Sequence, residues 1–108
     1  MVVGIKIGIT GLPGAGKTYA LRRVIEMLET EKLVVGGMIT DSIVSKKERK
    51  GFKIIDWLTK EEGILAHVNI ESDIQVSKYG VDIEALERIG VKAIESAIER
   101  AEVIIIDE

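Results

Sequence analysis

The sequence contains no cysteine, which excludes a disulfide framework and a thiolate metal site and accords with a reducing compartment. Its only proline, Pro13, sits inside a glycine-rich turn, so no Pro-rich linker divides the chain, and no internal repeat or low-complexity tract does so either. No apolar run approaches the roughly 20 residues of a membrane span, and the N-terminus lacks the basic-then-apolar pattern of an export signal. There is no basic stripe: the net charge is -3, and cations are interleaved with acids, which gives no footprint for nucleic acid. The single histidine, His67, has no Cys, Asp or Glu at ligand spacing and reads as structural or solvated. These absences predict a cytoplasmic protein with neither nucleic acid nor membrane as partner.

What is present is enough for one compact domain: 108 residues, 46% of them hydrophobic. Charged residues make up 31%, and the apolar runs are rich in Ile and Val, a balance common in thermophile proteins. Ile5 to Ile9 is short and β-branched, as a buried parallel strand is, and runs into a Gly-rich turn. Ala20, Leu21, Val24, Ile25 and Leu28 then recur at helical spacing, with Arg22, Arg23, Glu26 and Glu29 elsewhere around the helix, which is expected to end near Glu31. Val34 to Thr40 reads as a second strand in which Gly36 and Gly37 allow close approach of another backbone. Ile43-Val44 and Phe52 to Trp57 suggest two antiparallel strands around an exposed turn, and Leu65 to Ile70 a further short strand. Asp82 is placed to cap an amphipathic helix reaching Arg100, and Val103 to Ile106 is a buried strand. The expected fold is α/β, with a mainly parallel sheet and an antiparallel addition in the middle.

Gly11-Leu12-Pro13-Gly14-Ala15-Gly16-Lys17-Thr18 matches G-x-x-x-x-G-K-[ST] at every fixed position, between a predicted strand and a predicted helix. Glycines let successive N–H groups turn inward around phosphate oxygens, and the helix offers its positive end. Lys17 is placed to reach the β- and γ-phosphates, and the Thr18 hydroxyl to ligate Mg²⁺. The bland reading is a Gly-rich turn with a surface lysine. At the other end, Asp107 emerges from a buried strand, where ligands of open α/β sheets gather. It is expected to hold Mg²⁺ through a water, and Glu108 to polarise the attacking water; two acids ending a strand in a solvated loop is the alternative. Asp41 either assists the metal or water or is a strand-end turn residue. Tyr79 either stacks on a base or packs.

GITGLPGAGKT at the start, GGMITD at Gly36 to Asp41, KGFKIID at Lys50 to Asp56, KYGVD at Lys78 to Asp82 and VIIIDE at the end together resemble the THEP1-type nucleoside triphosphatases over nearly the whole chain. The resemblance implies a RecA-like three-layer P-loop fold and Mg²⁺-dependent hydrolysis of ATP, GTP, CTP and UTP to diphosphate and phosphate. It assigns nucleotide and metal contacts to Gly11, Gly14, Ala15, Gly16, Lys17, Thr18, Asp107 and Glu108. Members often carry an Arg where this sequence has Val44, so its charge either comes from elsewhere, such as Arg49 or Lys50, or is absent. Members also continue past the acidic strand, so residues 1–108 are expected either to be the N-terminal part of a longer family domain, incomplete at the C-terminus, or to self-associate through an exposed sheet edge. Two other functions remain open from the residues: a nucleotide or small-molecule kinase, and a nucleotide-binding module without turnover.

Overall fold

The computed structural model describes residues 5–6 and 17–107. Gly11 to Gly16 and Glu108 lie outside the described residues. β1 (Ile5–Lys6) precedes α1 (Lys17–Thr30), then β2 (Val35–Ser45), β3 (Glu48–Asp56), β4 (Glu62–His67), β5 (Gln75–Val76) and β6 (Tyr79–Val81) follow. A second helical region starts as α2 (Ile83–Ala85), passes through a π-helical stretch at Leu86–Val91 and continues as α3 (Lys92–Arg100) before β7 (Val103–Ile106). The strands make one sheet in the order β1-β7-β2-β3-β4-β6-β5.

The expectation of a mainly parallel, RecA-like sheet is overturned. Among the described residues β7 pairs in parallel with β1 and with β2, while the β2-β3, β3-β4, β4-β6 and β6-β5 pairs are all antiparallel. Parallel neighbours need a long crossover, which here only the helices supply; the middle of the chain reverses through short turns instead. The β2-β3 turn is Lys46-Lys47, both at positive φ (53° and 63°), and Ser77 (φ 55°) begins the turn between β5 and β6. Two-residue hairpin loops of this handedness match strand twist. β2 is therefore one continuous strand, not two, and its second half runs past the end of β7 (Met38 opposite Ile106) into the hairpin with β3.

Side-chain alternation assigns the two faces of the sheet. Val35, Ile39, Ile55, Val103 and Ile105 pack with Leu21 and Ile25 of α1 into one buried cluster, flanked by Trp57. The opposite face meets α3: the Ala97 and Ala101 methyls would lie 3.1–3.2 Å from a side chain built on Gly36. The Asp82 carboxylate accepts the Ala85 N–H at 3.1 Å, the cap that the sequence implies, and the extended backbone of Ala101 then turns the chain into β7. The α1 face carries the chemistry, because Asp41 of β2 meets Arg22 of α1 there and Asp107, just past β7, lies within electrostatic reach of Lys17 at the start of α1.

Candidate active site

Asp107 follows the last residue of β7, and its backbone N–H donates to the Met38 carbonyl at 2.9 Å. This extends the β7-β2 ladder by one residue. Two positions along the same edge of β2, beyond the end of β7, the Thr40 N–H lies near the Asp107 carboxylate and favours its charged form. Burial raises the Asp107 carboxyl above its ordinary value, and Asp41 raises it further; Lys17, the Thr40 N–H and Arg22 act in the opposite direction. A partly desolvated carboxylate facing a lysine at a helix N-terminus is an arrangement for handling anions and cations together.

Lys17 and Thr18 are the first two residues of α1, both partly buried. Lys17 thus lies within electrostatic reach of Asp107, about 90 residues away in sequence. The phosphate-loop residues Gly11, Leu12, Pro13, Gly14, Ala15 and Gly16, and Glu108 at the other end, lie outside the described residues.

A family model described as NTPase matches residues 6–108. The chain belongs to that family. The nucleoside-triphosphatase THEP1 of Methanocaldococcus jannaschii is 47% identical over 104 residues, 96% of this chain and 61% of that protein. The Thermofilum pendens THEP1 is 43% identical over 100 residues, 93% of this chain and 55% of that protein. Among solved structures, THEP1 from the hyperthermophile Aquifex aeolicus matches with a TM-score of 0.80 at 31% identity, over 95% of this chain and 58% of that one. The solution structure of a human cancer-related nucleoside triphosphatase matches at 0.72 and 25% identity, over 99% and 59%. The chain therefore spans between 55% and 61% of the length of these relatives. The THEP1-type resemblance carried by the sequence motifs is borne out.

Within this NTPase framework the sequence reading misplaces one charge. Arg49 and Lys50 do not join Asp107: register sets Arg49 opposite Val44, its guanidinium lies 5.1 Å from the Phe52 ring centroid, and Lys50 pairs with Glu48 at 3.1 Å. The cation that does reach the site is Arg22, whose Nη2 is 3.3 Å from Asp41 Oδ2 and whose guanidinium lies 5.1 Å from the Trp57 ring. The available signal was spacing: Arg22 is four residues after Thr18 and so shares its side of α1. Asp41 faces α1, as do Ile39 and Ile55, while Asp56 is buried and spends Oδ1 on the Leu58 and Thr59 N–H groups as a turn former.

Tyr79 is not at this site. It stands edge-on to Phe52 (centroids 5.4 Å apart) and lines an apolar cavity of about 300 Å³ with Thr40, Leu65, Ala66 and Leu86. Thr40 and Asp41 are consecutive strand residues, so the cavity opens on the face opposite the carboxylates. His67 Nδ1 accepts the Asn69 N–H at 3.1 Å, a turn contact. Among the described residues no group of three or more His, Cys, Asp or Glu forms a metal cage, and no helix is long and apolar enough to cross a membrane.

Proposed function

We propose that the chain forms the phosphate-handling part of a cytoplasmic nucleoside triphosphatase that hydrolyses ATP, GTP and other triphosphates to diphosphate and phosphate with Mg²⁺. The observation that carries this reading is that Lys17, at the start of α1, lies within electrostatic reach of Asp107, just past the end of β7. The donor set suits the ion: Mg²⁺ takes oxygen ligands, usually one or two carboxylates plus phosphates and waters, and needs no protein cage. Thr18 and Asp107 would hold it, and when bound it neutralises charge on the β- and γ-phosphate oxygens. Lys17 binds the same oxygens as a point charge. The backbone N–H groups of the loop from Gly11 to Gly16, Pro13 excepted, would cradle the phosphates, and Glu108 would orient water for attack on the γ-phosphorus.

Membership of the NTPase family and the full G-x-x-x-x-G-K-[ST] match support this reading over a kinase. Calorimetric titration with Mg-ATP tests the binding half of it. Lys17→Ala should weaken affinity at least tenfold, because it removes a charge-assisted contact to phosphate worth about 1.5–3 kcal/mol. Equal affinity in the variant would remove the phosphate loop from the account.

A further inference from the structure

We propose that Arg22 is a positioning residue that holds Asp41 as a second carboxylate of the metal site, where Asp41 accepts hydrogen bonds from the water shell of the nucleotide-bound Mg²⁺. The inference rests on the nucleoside-triphosphatase reading and goes beyond it, since Arg22 belongs to none of the motifs on which that reading stands.

Register supplies the geometry. Ile106 is opposite Met38, so Asp107 is level with Ile39, and Asp41 lies two residues further along β2 on the same face. At about 3.3 Å per residue this sets the two carboxylates roughly 6–7 Å apart along the strand direction. Asp41 is within electrostatic reach of Asp107, as are Lys17 and Arg22. That spacing suits one carboxylate on the ion's near side and another on its waters, for Mg²⁺ dehydrates reluctantly and keeps several.

Asp41 is also held from two sides. Its Oδ1 accepts the N–H of Ser42 at 2.9 Å, and its Oδ2 meets Arg22 Nη2 at 3.3 Å. Helical side chains lean toward the helix N-terminus, so the Arg22 guanidinium extends over the turn that contains Thr18. It is braced against the Trp57 ring at 5.1 Å, and Trp57 Nε1 donates to Glu29 Oε2 at 3.3 Å on the same helix. Each carboxylate oxygen keeps a lone pair free for water. The side chains of Arg22 and Asp41 are 36% and 33% exposed, so the pair contributes little to stability as a surface ion pair. Its placement on β2 just beyond the end of β7, not its strength, is what the site would use.

The test is calorimetric binding of ATP at increasing MgCl₂, with EDTA as the metal-free reference, for wild type, Arg22→Ala, Arg22→Lys, Asp41→Asn, the Arg22→Ala/Asp41→Asn double variant and Lys17→Ala. Melting curves check that each protein folds. Arg22→Ala and Asp41→Asn should each raise the Mg²⁺ concentration for half-maximal enhancement of ATP affinity about tenfold, the lower end of what outer-shell partners of metal sites contribute. Each variant's Mg²⁺ requirement is read against its own metal-free ATP affinity. The double variant should match Asp41→Asn alone, because Arg22 acts through Asp41, and Arg22→Lys, which keeps charge without the planar fork, should fall between. An unchanged Mg²⁺ requirement in both single variants, or additive effects in the double, overturns the inference while leaving Lys17-dependent binding intact. Wild-type binding that does not depend on Lys17 would remove the nucleoside-triphosphatase reading, and this inference with it.

Discussion

Asp107→Asn should lower Mg²⁺-dependent turnover by about 10²-fold or more while leaving the metal-free protein at least as stable as wild type. The rate term follows from the ion. Stabilising charge on transferring phosphoryl oxygens is worth several kcal/mol, and each 1.36 kcal/mol is tenfold. An amide at the end of β7 keeps the shape of the side chain but has no charge to hold the ion. The stability term follows from burial, which raises the Asp107 carboxyl above its ordinary value in the folded protein. A raised acid binds its proton more tightly folded than unfolded, so the folded state is favoured below the unfolded value. That advantage is lost as pH rises through the folded value. Above it the desolvated charge is a standing cost, which Asn removes. Melting curves in EDTA should therefore show Asp107→Asn level with wild type in acid and level or higher at neutral pH. Turnover within threefold of wild type would take Asp107 out of the site.

Gly37→Ala should destabilise the fold by about 3–5 kcal/mol, a large part of the 5–15 kcal/mol that holds a domain of this size together. Gly37 has a φ of 121°, and a Cβ there would overlap the Ile105 carbonyl oxygen and lie 2.8 Å from the Ile105 carbonyl carbon and nitrogen. Those atoms are backbone of β7, so the clash cannot be relieved by a rotamer; β2 has to move off β7. Gly37 and Ile105 are partners in that ladder, and the Gly37 carbonyl also accepts the Trp57 N–H at 2.9 Å. Displacement would separate Thr40 and Asp41 from Asp107 as well as open the core around Ile39 and Val103. Urea denaturation measures it, and a midpoint equal to that of wild type would mean that β2 and β7 approach less closely than described.

The close approach at Gly36-Gly37 was legible because two glycines in a β-prone run have few other uses. So were α1, from its 3.6-residue apolar stripe, and the start of α2, from Asp82. β7 declared itself through four consecutive β-branched residues followed by an acid. The antiparallel majority of the sheet was hidden, because the positive-φ turn positions are filled by Lys46, Lys47 and Ser77 where Asn or Gly would have signalled hairpins. The polar pair Asp41-Ser42 likewise masked the continuity of β2. Nothing in the apolar periodicity distinguishes the π-helical stretch at Leu86–Val91 from ordinary helix. Of the charges at the site, Lys17 and Asp107 could be placed by motif and by strand direction. Arg22 offered only its spacing from Thr18, since a polar residue on an amphipathic helix is usually a solvated one, and its contact with Asp41 comes from the fold.

The central claim is that this chain combines a lysine-bearing phosphate loop with an acidic strand end to hydrolyse nucleoside triphosphates. Phosphate release from ATP, GTP, CTP and UTP with Mg²⁺, run beside an EDTA control and Lys17→Ala, measures it most directly. The account predicts release from several of the four nucleotides that disappears with EDTA and with Lys17→Ala. A folded protein that releases no phosphate from any of them, or that releases it equally well without Lys17, would contradict it.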